Sequence, residues 1–266
     1  MSLCRCNFYS HVLFSCVNIH VLIPDSPRSQ SGMTLDDRYP VGNRYKTLYL
    51  LHGMYEDDSV WLRRTNIERY AAKYNLAVVM PAAQNSYYTD MNHGLRYFTY
   101  LTQELPRYVR SVFPISDKRE DTFIAGLSMG GYGALKAALC RPEQYSAAAS
   151  LSGAVDIGLI GKYASTDQER QMFEDVFGDP KAAAGGPDDL MHIAGEAAAS
   201  GKMLPRLYLA CGTEDELCRP MNQTLRKRLD ELGLAYTYEE GPGAHEWNFW
   251  DQYIRRALAF MLPEGR

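Results

Sequence analysis

Short runs of consecutive apolar residues, each closed by Gly, Pro or Ser, alternate along this chain with longer stretches whose apolar positions recur every three or four residues. The short runs cover 45–51, 76–80, 122–126, 147–151 and 206–211. Strands apolar on both sides suit a sheet that is covered on both faces. The longer stretches predict helices at 67–74, 97–113, 131–140, 220–232 and 247–262. In the second of these, Leu101, Leu105 and Val109 keep helical spacing around Pro106, which lacks an N–H and so predicts a kink or a division. Strand and helix alternating in this way imply βαβ units with right-handed crossovers. The fold class is therefore α/β, with an open, mainly parallel sheet and helices on both sides. Residues 8–23 read as extended, a strand or hairpin ending at Pro24, and no crossover helix follows them. They predict an antiparallel amino-terminal edge, then a turn-rich loop from Pro24 to Asn43.

One stretch breaks the rhythm. From 156 to 203 the chain is rich in Gly and Ala, with short helices predicted at 167–177 and 188–199. We read it as an excursion over the carboxyl edge of the sheet inside one domain spanning 1–266, because about fifty such residues would make a thin core alone. Composition narrows the function classes. At 266 residues and 46% hydrophobic content the chain can bury a substantial core, which excludes bulk disorder. Against 28 Lys and Arg stand 32 Asp and Glu, a net charge of -4, leaving no basic excess for nucleic acid. No apolar run approaches the length of a membrane span. The six cysteines fall into no repeating frame and read as reduced thiols, and Cys4-x-Cys6 has no second ligand pair to complete a zinc site. Residues 11–20 are apolar but are interrupted by Asn18 and His20 and followed by no cleavage signature, so no leader is expected and a cytoplasmic location is.

Chemistry concentrates at four places. Gly126-Leu-Ser128-Met-Gly130 is a G-x-S-x-G pentapeptide that closes a strand and opens a helix, the context a nucleophile elbow requires. Ser128 would sit at the helix amino terminus, where oriented N–H groups favour developing negative charge. Of six histidines, His245 stands in a late loop before the last helix, where an α/β hydrolase carries its base. The acid falls between them in chain order, just past a strand, at Cys211-Gly-Thr-Glu214-Asp215-Glu216. We choose Asp215, with Glu214 next, while Asp188 and Asp189 precede a helix and look like caps. The N–H of Met129 supplies one oxyanion donor by its position after the nucleophile. A second is expected in Leu50-Leu-His-Gly-Met54, at Met54 or else at Gly53, with His52 a packed or turn-stabilising residue. Tyr55, Trp61, Tyr87 and Trp247 are candidate substrate-binding aromatics.

With Asp58-Ser-Val-Trp61 and Gly243-Ala-His-Glu-Trp247 added, the chain resembles the esterase D-like branch of the α/β-hydrolase superfamily over nearly its whole length. That branch holds tributyrin, acetyl and feruloyl esterases, S-formylglutathione hydrolases and mycolyltransferases. The resemblance implies a Ser128–His245–Asp215 triad, oxyanion donors at Met54 and Met129, and a small-molecule ester substrate with neither metal nor organic cofactor. His-Gly-Met with the Asp-Ser-Val-Trp spacing, and the His-x-Trp-x-x-Trp pattern from His245 to Trp250, look most like the small-ester carboxylesterases and least like the S-formylglutathione hydrolases. A thioesterase, an acetylxylan or feruloyl esterase, an acyltransferase and a non-catalytic binding protein on the same scaffold are the alternatives, and a homo-oligomer is left open.

Overall fold

The computed structural model describes residues 1–25, 32–179 and 183–263. Among them, β1 (Ser2–Ser10), β2 (Ser15–Ile23), β3 (Lys46–Leu51), β4 (Leu76–Pro81), β5 (Thr122–Leu127), β6 (Ala147–Leu151), β7 (Arg206–Gly212) and β8 (Tyr236–Gly241) form one sheet in the order β1-β2-β4-β3-β5-β6-β7-β8. From β4 to β8 every pairing is parallel, whereas β1–β2 and β2–β4 are antiparallel. The expected α/β architecture with an antiparallel amino-terminal edge is what the chain adopts. The extended region begins earlier than expected, at Ser2, and is a hairpin of two nine-residue strands. Its first strand alternates exposed and half-buried positions with polar residues among them, so its early part carries no continuous apolar run to reveal it.

The sheet separates two apolar layers because successive residues of a strand point to opposite faces. Tyr49, Leu51, Ile124 and Ala148 pack with helices Leu105–Val112, Met129–Cys140, Leu190–Ala199 and Arg219–Glu231. Leu48, Leu50, Phe123 and Ala125 pack on the other side with helices Val60–Arg64, Ile67–Lys73 and Trp247–Met261. The division at Pro106 is real: a π-helical segment, Tyr100–Glu104, precedes a helix that has the proline in its first turn, where the missing N–H costs nothing. The short Val60–Arg64 helix was not expected, since five residues are too few to show a period.

Helices Ile157–Ile160, Asp167–Phe177 and Leu190–Ala199 belong to the excursion; the last packs beside helices Met129–Cys140 and Arg219–Glu231, and the segment is tied down at several points. Asn92 and His93 donate backbone hydrogen bonds to Val176 and Asp175 at 3.0 and 2.8 Å, and Tyr132 Oη donates to the Asp188 carbonyl at 2.6 Å. Lys136, itself buried, pairs with the Asp188 carboxylate. Asp189 is the amino-terminal cap of Leu190–Ala199, as its place before the helix suggests, accepting from Met191 N–H at 2.9 Å. Residues 26–31 of the turn-rich loop and 180–182 of the excursion lie outside the described residues. Among those described, no helix is long and apolar enough to cross a membrane.

Candidate active site

Ser128 stands between β5 and the Met129–Cys140 helix with φ 51° and ψ −118°, a conformation that side-chain-bearing residues rarely adopt. It persists because its surroundings fix it. Ser128 N–H donates to Leu151 O at 2.9 Å, and Ser128 O accepts from Tyr132 and Ala154 N–H at 3.1 and 3.0 Å. Two glycines make room for the turn. A Cβ on Gly126 would collide with the backbone of Gly130, and one on Gly130 would lie 2.5 Å from Leu51 O and 2.6 Å from His52 O. Strand β5 and the helix can cross this closely only without those side chains.

The loops after β7 and β8 bring Asp215 and His245 to the same point. His245 Nε2 lies 3.0 Å from Ser128 Oγ, and its Nδ1 lies 2.9 Å from Asp215 Oδ2. Asp215 is buried, and its other oxygen accepts from Cys218 N–H at 2.8 Å. Burial alone would raise this carboxyl, yet the hydrogen bond and charge of His245 outweigh it, so the group titrates below the usual carboxylate range. With Asp215 ionised and accepting only, Nδ1 carries the proton and Nε2 presents its lone pair to the serine. Glu214 does something else. Its carboxylate accepts from the Thr213 hydroxyl and from Gly243 N–H, fixing the loop that carries His245. That bond also explains why Glu214 is not the partner of the imidazole.

The segment after β3 is held almost atom by atom. Gly53 N–H donates to Glu56 Oε2 at 3.0 Å and Tyr55 N–H to Asn85 Oδ1 at 2.8 Å. Tyr88 Oη donates to His52 O at 3.1 Å. Ala83 N–H donates to His52 Nε2 at 3.0 Å, so the ring's Nδ1 holds the proton and donates it to Gly53 O at 2.7 Å. Desolvation pushes His52 down, keeping it neutral in this structural post. The fixed geometry sorts the donors. Gly53 N–H and Tyr55 N–H are taken, while among the described residues neither Met54 N–H nor Met129 N–H has a protein acceptor. Of the two residues weighed from the sequence, Gly53 has its N–H engaged and Met54 does not.

A cavity of about 300 Å³ opens at Ser128 and His245. Leu127, Ala154, Ile160, Phe173, Leu217, Met221 and Trp250 make most of its wall, with Met54, Tyr55 and Tyr87 on the side of the β3 loop. Trp61 and Trp247 do not line it. Trp61 is buried beneath the sheet with its Nε1 donating to Leu51 O at 3.0 Å, and Trp247 stacks edge-on against it while donating to Glu56 Oε1 at 3.1 Å. Both belong to the packing that supports the loop. Trp250, the last residue of the His-x-Trp-x-x-Trp pattern but not one of the substrate-binding candidates, is the aromatic beside the imidazole: its ring meets His245 edge-on at 4.9 Å and walls the pocket. Phe173 comes from the excursion and stacks edge-on with Tyr87 at 5.9 Å.

Asp215, Cys218 and His245 also place donor atoms within 4.8 Å of one another, a spacing a metal ion could use. Burial pushes the Cys218 thiol well up, so it keeps its proton and is a poor ligand. Both Asp215 oxygens and both imidazole nitrogens have hydrogen-bond partners already. The chemistry this set favours is proton transfer.

A parallel sheet with a strained serine at the turn after its central strand defines an α/β hydrolase. The esterase family described as "Putative esterase" matches residues 29–261, and the chain belongs to that family. It is similar to an acetyl esterase of Caldicellulosiruptor saccharolyticus, 34% identical over 98% of each chain. Among solved structures it is similar to a fluorophosphonate-binding serine hydrolase of Staphylococcus aureus (33% identity, TM-score 0.87, 99% of each chain). An S-formylglutathione hydrolase of the same organism is also similar (33% identity, TM-score 0.83, 98% of this chain and 100% of that one). The chain is a carboxylic ester hydrolase of the serine type. The separation from S-formylglutathione hydrolases expected from its motifs is not mirrored in overall likeness, since relatives of both descriptions stand at 33–34%.

Proposed function

We propose that Ser128, His245 and Asp215 hydrolyse short-chain acyl esters through an acyl-enzyme, with the N–H groups of Met54 and Met129 as the oxyanion hole. The observation that carries this reading is the continuous hydrogen-bonded line from Asp215 Oδ2 through the imidazole to Ser128 Oγ. His245 Nε2 takes the hydroxyl proton as Ser128 Oγ attacks the ester carbonyl, and Asp215 stabilises the imidazolium without being protonated. The carbonyl oxygen gains negative charge against the N–H groups of Met54 and Met129, which have no protein acceptor among the described residues. His245 then gives the proton to the leaving alcohol, activates a water in turn, and the acid departs as Ser128 is restored. The whole chain from 1 to 266 serves as one catalytic domain. Six unpaired cysteines suit a reducing cytoplasm.

The acyl group occupies the apolar part of the cavity, toward Leu127, Phe173, Leu217 and Met221. A volume of about 300 Å³ is at the low end for small-molecule sites and has to hold part of the leaving group as well. Across p-nitrophenyl esters, kcat/KM is therefore expected to peak between acetyl and butyryl. It should fall about tenfold or more at octanoyl, since overfilling a packed pocket costs of order 1–3 kcal/mol. Octanoyl turnover exceeding acetyl would overturn the assignment of the acyl site.

A further inference from the structure

The open side of the same cavity has a one-sided charge. Its lining includes two carboxylates, Glu56 and Glu169, and among the described residues no Lys or Arg. Glu169 comes from the first turn of the Asp167–Phe177 helix and is fixed there by five hydrogen bonds. Its Oε2 accepts from Ser165 N–H, Ser165 Oγ and Thr166 N–H at 2.7, 2.7 and 3.2 Å, and its Oε1 accepts from Tyr55 Oη at 3.1 Å. Its own N–H completes a capping box with Thr166 Oγ1. The Ser165 hydroxyl first, and the Ser165 N–H next, hold the carboxyl down at about 2, so it is anionic wherever an esterase works. Among the described residues, Arg170, next to Glu169, pairs with Asp167, and Arg63 pairs with Asp57. Burial pushes the Glu56 carboxyl up, and its bonds from Gly53 and Trp247 and the charges of Arg64 and Arg63 offset this only in part; neither arginine lines the cavity.

A capping box accounts for the two Thr166 bonds, and the neighbouring Ser165 adds local ones. Neither accounts for Tyr55. This residue is 69% exposed, holds a positive φ of 64°, and reaches from the loop after β3 to the excursion so that its hydroxyl meets the carboxylate over the pocket. The bridge fixes Glu169 in the wall of the cavity that opens at Ser128 and His245, on a tyrosine that directly follows Met54. A concave site lined with one sign of charge between low-dielectric walls concentrates that field.

Resting on the serine-hydrolase reading above, we propose that Glu169 is a specificity-determining residue that selects against anionic leaving groups, so that the natural substrate is an ester of a neutral or cationic alcohol. A net-anionic leaving group such as glutathione would be disfavoured, which separates this chain from the thioesterase that its overall likeness leaves open.

The test uses two acetyl esters of nearly equal size and reactivity, 4-acetoxybenzamide and 4-acetoxybenzoate, which differ by one negative charge. The ratio of their kcat/KM values is measured at low and high ionic strength in the wild type, Glu169→Gln and Glu169→Lys. Gln still fits a capping box, and the intrinsic reactivities are common to all three proteins, so a general loss of activity cancels from the ratio. The wild type should favour the amide, and salt should shrink that preference. Glu169→Gln should lower the ratio about three- to fivefold, the range of one exposed charge interaction, and Glu169→Lys should lower it further. A ratio equal in all three proteins overturns the selectivity with hydrolysis intact. Failure of the wild type to turn over either ester removes the hydrolase reading itself.

Discussion

Ser128→Ala is expected to lower kcat on acetyl and butyryl esters by about a millionfold, with little change in fold or in KM. The reason is that Ser128 Oγ lines the cavity and lies 3.0 Å from His245 Nε2, the base proposed to take its proton. His52, the other imidazole near the pocket, cannot substitute, since its Nδ1 donates to Gly53 O and its Nε2 accepts from Ala83 N–H. Alanine removes no hydrogen bond that holds the turn, because Leu151, Tyr132 and Ala154 bind the backbone of residue 128 and not its side chain. Residual hydrolysis above water would come from the oxyanion hole and binding alone. Steady-state kinetics checks this, with circular dichroism to establish the fold; a variant within tenfold of the wild type would remove Ser128 from the mechanism.

The second large effect is expected at Asp215→Asn, about ten-thousandfold in kcat. Both carboxylate oxygens are used: Oδ1 accepts from Cys218 N–H and Oδ2 faces His245 Nδ1. Asparagine must keep its one carbonyl oxygen toward Cys218 N–H, and so turns its NH₂ toward the imidazole. Nδ1 then becomes an acceptor, the proton moves to Nε2, and the face toward Ser128 Oγ loses its lone pair. The shape survives while the tautomer is wrong. Because the His245 bond and charge keep Asp215 ionised against its burial, acid-side loss of wild-type activity should not reflect protonation of Asp215 in the neutral range. A pH–rate profile of both proteins on one ester tests the pair of statements. Near-normal kcat in the asparagine variant would mean that another group orients His245.

Much of this was legible in the sequence, and the reasons it was legible are local. Strands buried on both faces read as continuous apolar runs, which is why β3 to β7 were found near their observed bounds. The elbow is legible because strand, Gly-x-Ser-x-Gly and helix are contiguous, and the clashes a Cβ would meet at Gly126 and Gly130 show why those positions are glycine. His245 and Asp215 follow from chain order after strands. What the sequence could not carry depends on contacts across long separations. Trp61 and Trp247 were expected at the substrate but face the supporting packing, because a tryptophan looks the same in either place. Glu214 and Asp215 are adjacent, and only the reach of Gly243 N–H to Glu214 separates their tasks. The Tyr55–Glu169 bridge joins residues 114 apart and has no sequence signature.

The central claim is that one serine, activated by a remote imidazole, takes the acyl group. It is tested most directly by mass spectrometry of the wild-type protein after reaction with a fluorophosphonate, followed by peptide mapping. A single phosphonyl adduct on Ser128, absent from Ser128→Ala and sharply slowed in His245→Ala, is the expected result. An adduct on another residue, or labelling of Ser128 that proceeds equally fast without the imidazole, would contradict it.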